Sequence, residues 1–136
     1  MRRNRDSKKP FSKNVGASDT ENPDTMPPIF SFERMVDGCG YSVNCCDADN
    51  QAAALRRLFM LSKMKWREIQ NAPRHGLGTE KIARHSIKAP IPQGISEDVT
   101  FLAIRYNGFR PMLGYRDGRT FHVLLLDHSF DAYDHG

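Results

Sequence analysis

Residues 99–106, 110–116 and 121–126 are three stretches of apolar and β-forming side chains, and the turns between them carry Asn107-Gly108 and Asp117-Gly118. Both dipeptides signal hairpins, because glycine enters the positive-φ region that tight turns demand. This third of the chain therefore predicts an antiparallel three-stranded meander. Its last stretch, Phe121-His122-Val123-Leu124-Leu125-Leu126, is a continuous apolar run broken only by His122. Such a run predicts a central strand covered on both faces.

Upstream, Ile29, Phe30, Phe32 and Met35 partly alternate with Ser31, Glu33 and Arg34. Asp37-Gly38-Cys39-Gly40 is a turn signal, and β-like alternation resumes at Tyr41-Ser42-Val43-Asn44-Cys45. Residues 29–46 thus predict a β-hairpin. Asp47 or Asp49 can cap a following helix by accepting from a first-turn N–H. Leu55, Leu58, Phe59 and Ser62 form its expected inward stripe, widened by Leu61, with Arg56, Arg57 and Lys63 outward. The helix runs on through Trp66 and Ile69 or breaks near Ser62 into a second one. Ala72-Pro73 ends it, since a residue before proline avoids the helical region. Residues 79–84 predict a short capped helical turn, and Pro90, Pro92 and Gly94 an irregular linker.

Residues 1–26 read as a disordered basic tail, with Lys and Arg at six of the first thirteen positions. Residues 27–136 then form a single domain. The expected class is α+β: an antiparallel sheet made of the N-terminal hairpin and the C-terminal meander, with one or two helices packed on one face. A length of 136 residues with 39% hydrophobic content supplies one core.

A formal charge of +4 permits a polyanionic partner without demanding one. No apolar stretch is long enough to cross a bilayer, and no apolar region follows the basic start, so neither a membrane nor secretion is expected. Cys39, Cys45 and Cys46 are an odd set without the spacing of a zinc site, which suits reduced thiols in the cytoplasm. No metal and no cofactor is expected. The chain has no Walker loop, dinucleotide fingerprint, HExxH or GxSxG.

Three clusters could carry chemistry. The first is the chain end, with Asp127, His128, Asp131, Tyr133, Asp134 and His135. Histidine moves a proton near neutral pH and tyrosine can donate or position one, although a polar, frayed terminus has the same composition. The second is Arg105, Arg110 and Arg116 on neighbouring strands. If they share a face, their forked donors suit phosphate oxygens; otherwise they are solvated strand positions. The third is Arg74, His75, Glu80, Lys81, Arg84, His85 and Lys88, either the lining of a substrate groove or a solvated basic face. Trp66 and His122 read as core residues, His122 with its hydrogen bonds satisfied.

The order of a β-element, one or two helices and a meander ending in Tyr133 and His135 resembles the RelE/ParE toxin superfamily. The segments 72–78, 114–117 and 133–135 are also similar to small proteins of bacterial plasmids and phages. The toxin resemblance implies a metal-independent endoribonuclease that cuts messenger RNA, usually on the ribosome, and is silenced by an antitoxin protein. It implies that Arg105 and Arg116 hold the scissile phosphate and that Tyr133 and His135 move protons. Glu80 or His75 would then serve as general base, with Lys81, Arg84 and Arg110 binding substrate. The competing reading is a non-catalytic module that binds protein or nucleic acid through the tail and the arginine-bearing sheet.

Overall fold

The structure is a computed structural model that describes residues 22–73, 76 and 78–135. Five strands form one sheet in the order β1-β5-β4-β3-β2: β1 (Ile29–Ser31), β2 (Thr79–Ile82), β3 (Phe101–Asn107), β4 (Arg110–Asp117) and β5 (Thr120–Leu126). Helices α1 (Ala48–Leu61) and α2 (Trp66–Asn71) lie between β1 and β2 in sequence. The α+β class with helices on a sheet is therefore present. None of the described helices is long and apolar enough to cross a membrane.

The meander forms where the turn chemistry places it. Gly108 and Gly118 stand first in two-residue turns with φ of 61° and 64°, the position that requires glycine in a type II′ hairpin. Phe109 consequently occupies the tip of the β3–β4 turn. β5 is central, and its side chains divide between the faces. Phe121, Val123 and Leu126 face the helices, while Leu124 and Leu125 face the opposite side. The register shift between Leu113 and Gly114 inserts the extra residue that allows consecutive leucines to share a face.

The expected N-terminal hairpin is absent. Only Ile29–Ser31 is strand, and it pairs parallel to β5 rather than with a neighbouring hairpin arm. Residues 41–46 instead close a polar turn. Ser42 Oγ donates to Asp37 Oδ1 at 2.6 Å and Asn44 Nδ2 donates to Asp37 Oδ2 at 2.9 Å. These two bonds, Ser42 foremost, hold the Asp37 carboxyl below the usual carboxylate range. The alternating pattern was local turn chemistry, not a ladder.

Helix α1 is capped by Asp47, which accepts from Asn50 N at 2.9 Å. Its buried stripe is Asn50, Ala53, Ala54 and Leu61, with Leu58 half-buried. Leu55 and Phe59, expected inward, are exposed, because alanine brings the helix backbone closer to the sheet than leucine would allow. The helix stops after Leu61, and α2 buries Trp66 and Ile69 completely. Arg57, expected outward, instead reaches across to donate to the carbonyl oxygen of Arg105.

Residues 79–84 are not a helical turn. Thr79–Ile82 is an edge strand antiparallel to β3, followed by a short 3-10 turn at Arg84–Ser86. With one buried apolar residue, Ile82, it carries too little pattern to be read as a strand, and Glu80 and Lys81 suit an exposed edge. Residues 22–26, read as part of the tail, are also structured. Pro23–Thr25 is a 3-10 turn, and Met26 O accepts from Trp66 N at 3.0 Å. Residues 1–21 lie outside the described residues. Cys39, Cys45 and Cys46 are free thiols.

One apolar cluster lies between the helices and the sheet. A second lies on the other face, built from Ile82, Phe101, Ala103, Leu113, Leu124 and Leu125 and covered by the 83–99 linker and the C-terminal segment. The described end of the chain is not frayed. Lys88 N and Ala89 N both donate to Ala132 O, at 2.8 and 2.9 Å, and Asp134 N donates to Ser86 O at 2.9 Å. Backbone hydrogen bonds thus fix residues 132–134 against the second face of the sheet.

Candidate active site

Strand alternation sorts the basic residues. On β3, Phe101 and Ala103 face the linker side, so Arg105 does as well. On β4, Tyr115 packs in the linker-side cluster, so Arg116, the next residue, faces the helices, where its guanidinium lies 4.4 Å from the centre of the Trp66 ring and pairs with Asp24. Arg105 and Arg116 therefore sit on opposite faces and do not form one phosphate fork. Arg116 also donates from Nε to Gly118 O at 2.7 Å, so it fastens the turn of the β4–β5 hairpin to the N-terminal segment. Replacing Arg116 with methionine is expected to cost about 1 kcal/mol of stability. Thermal denaturation would read this as a lowered melting temperature.

Several other expected site residues are placed elsewhere. Arg84 holds the linker, donating to Ile95 O at 3.2 Å and pairing with Glu97 at 3.3 Å, with its guanidinium over Phe101. Lys81 and Arg116 both line a separate open groove. Arg110 donates from Nε to His128 O at 2.8 Å and lines a hollow next to the candidate site. His75 lies outside the described residues. His122 is half-buried and stacked on Tyr115, and among the described residues its buried Nδ1 has no hydrogen-bond partner, so the satisfied core histidine expected here is not found.

The residues that do converge are Glu80, Arg105, Tyr133 and His135. They line one pocket of about 70 Å³ together with Ala103, Phe109, Pro111 and Phe130. Glu80 comes from β2 and pairs in register with Ala103, which puts its side chain on the same face as Arg105. Tyr133 is drawn in by an isolated bridge to Ile87 and is almost fully buried.

His135 is held on three sides. Its Nε2 lies 3.1 Å from Oδ2 of Asp127, whose side chain is 0% exposed. The ring stacks on Phe130 with centroids 3.6 Å apart at 17°, and lies 4.0 Å from the Tyr133 ring. A carboxylate can only accept, so Nε2 carries a hydrogen and Nδ1 is the nitrogen left to exchange a proton. Asp127 is itself fixed, since Oδ1 accepts from Asp131 N at 2.8 Å. The surrounding loop is tied down further by Tyr41, which donates to Asp131 Oδ1 at 3.0 Å, and by His128 Nε2, which lies 2.8 Å from Gly40 O. Burial, and then the Asp131 carboxylate, push the Tyr41 hydroxyl pKa up, so it remains a donor.

Phe130 adopts φ of 59°, the one left-handed conformation among the described non-glycine residues. A bulky side chain there costs on the order of 1–3 kcal/mol and persists only where its surroundings enforce it. Here the Phe130 N–H donates to Asp127 O at 3.2 Å and its ring covers His135. The turn thus spends backbone strain to bring a carboxylate and an aromatic ring to the same imidazole.

Sequence reasoning named His135, Tyr133, Arg105 and Glu80, placed Asp127 only in the polar cluster, and missed Phe130, Phe109 and the anchoring role of Arg57. No sequence signal marked Asp127 as buried, since a carboxylate is rarely buried without a partner and its partner His135 lies eight residues on. If His135 transfers a proton at this site, replacing Asp127 with asparagine is expected to slow that step roughly a hundredfold. The amide would present a donor to Nε2 or force the other tautomer. Nuclear magnetic resonance of the His135 ring nitrogens should register the changed tautomer, and were the pair only structural that change would leave the rate at the parent's level.

Comparison with family models, with curated proteins and with solved structures finds no match to this chain.

Proposed function

We propose that the chain is a metal-independent endoribonuclease of toxin type, cutting messenger RNA, with Asp127, His135, Tyr133, Arg105 and Glu80 as its working residues. The observation that carries this reading is the Asp127–His135 pair opening on a pocket that also holds an arginine, a tyrosine and a second carboxylate. Arg105 binds non-bridging oxygens of the scissile phosphate and stabilises the charge that grows there. Glu80 takes the proton of the ribose 2′-OH, whose oxygen attacks the adjacent phosphorus. The bond from phosphorus to the 5′ oxygen breaks, and that oxygen receives the Nδ1 proton of His135, which enters the step as the doubly protonated imidazolium and leaves it neutral with its hydrogen on Nε2. The products are a 2′,3′-cyclic phosphate and a 5′-hydroxyl. Asp127 holds the imidazole in orientation through Nε2, and Tyr133 fixes the ring from its other side.

The order of one short strand, two helices and a meander accords with the toxin resemblance, while β2 is an additional strand. An antitoxin protein is the partner this reading requires. The test is induced expression in bacteria of the parent and a Tyr133→Phe/His135→Gln double variant, with RNA 5′ ends mapped. Growth arrest and new ends in the parent alone are expected. Normal growth and intact RNA in both would move the chain to the non-catalytic reading, with the Asp127–His135 pair serving as a structural lock.

A further inference from the structure

Two aromatic rings stand at the mouth of the candidate site with much of their surface in solvent. Phe109 at the β3–β4 turn is 67% exposed and Phe130 is 41% exposed. Their centroids are 6.3 Å apart at 52°, so they form one continuous wall. On one side of the wall is the narrow pocket with Arg105, Tyr133 and His135. On the other is a wider hollow of about 290 Å³ lined by Phe109, Arg110, His128, Ser129 and Phe130. Arg105 lies 5.1 Å from the Phe109 ring centre on the pocket side, and Arg110 borders the hollow.

An exposed phenylalanine at a hairpin tip contributes nothing to the core. Hairpin tips favour small polar residues, so the sequence places an aromatic ring where folding does not ask for one. Exposed rings alternating with arginines are the chemistry by which unpaired bases are held, since every base has a π-face and every linkage a phosphate. An apolar peptide partner would gain from the rings but bring no negative charge to the two guanidinium groups. A repeating polyanion with flat rings satisfies both.

We infer that this hollow is a second subsite, which holds an unpaired base next to the cleaved linkage, stacked on Phe109 and flanked by Arg110. The inference rests on the ribonuclease reading for its substrate class and deepens it. The enzyme would require single-stranded RNA, because a base within a duplex cannot reach the ring. Phe130 serves both sides of the wall, covering His135 and closing the hollow, so the base and the catalytic imidazole are set at a fixed separation.

The test measures binding of the full chain to a labelled, uncleavable 2′-O-methyl oligoribonucleotide and to the same strand with abasic positions. Phe109→Leu keeps bulk but removes the flat face. It is expected to bind the base-bearing strand roughly tenfold more weakly and the abasic strand as the parent does. Phe109→Trp should retain affinity and report stacking by quenching of its fluorescence. Trp66, fully buried, supplies only a constant background. Binding of Phe109→Leu within twofold of the parent, equal losses on both strands, or a parent that binds neither strand would each overturn the subsite. A parent that binds with quenching of the Phe109→Trp signal but never cuts would uphold the platform and defeat the nuclease reading.

Discussion

Replacing His135 with glutamine should slow RNA cleavage by roughly 10²- to 10⁴-fold, the range expected for loss of a positioned acid or base. Glutamine preserves the packing and the hydrogen bond. Its amide can still donate to Asp127 Oδ2, so the buried carboxylate retains a partner and the chain end remains docked through Ala132 and Asp134. What it lacks is a group that exchanges protons at neutral pH. Cleavage should therefore fall while the melting temperature stays within a few degrees of the parent. Alanine is a poorer test, because it leaves an Asp127 oxygen buried without its partner and confuses chemistry with stability. Retained cleavage in the glutamine variant would remove His135 from the mechanism.

The largest effect on folding is expected at Gly114. A Cβ there would stand 2.0 Å from the backbone oxygen of His122 and 3.0 Å from the edge of the Phe121 ring. The obstacle is the neighbouring strand's backbone, which cannot move without opening the β4–β5 pairing at the point where its register shifts. Gly114→Ala should cost about 3 kcal/mol or more, a large share of the stability of a domain this size. Urea denaturation would show it as a lowered midpoint with an unchanged slope. A shift below about 1 kcal/mol would mean that the bulge relaxes far more easily than its packing implies.

Much of the sheet was legible because turn chemistry and apolar patterning agree over residues 101–126. The same logic failed at residues 29–46, where alternation came from Ser42, Asn44 and Asp37 bonding locally, and at Thr79–Ile82, whose strand depends on pairing with β3. On α1, hydropathy favoured Leu55 and Phe59, but small alanines face the sheet. The site was partly legible through residue chemistry at the chain end. Which arginine could join it was a matter of parity: Arg105 and Arg116 lie on different strands, and only the register reveals that they face opposite sides. The role of Phe130 needed its left-handed backbone, which no sequence pattern announces.

The most direct measurement is incubation of the purified chain, in the presence of a chelator, with two RNA strands presented free or on ribosomes. The two differ only in a single 2′-deoxy nucleotide at the mapped cleavage position. The account expects the unmodified strand to yield a 2′,3′-cyclic phosphate and a 5′-hydroxyl, and the deoxy strand to resist at that position. Equal cutting of both strands, or no cutting of either in any presentation, would contradict it.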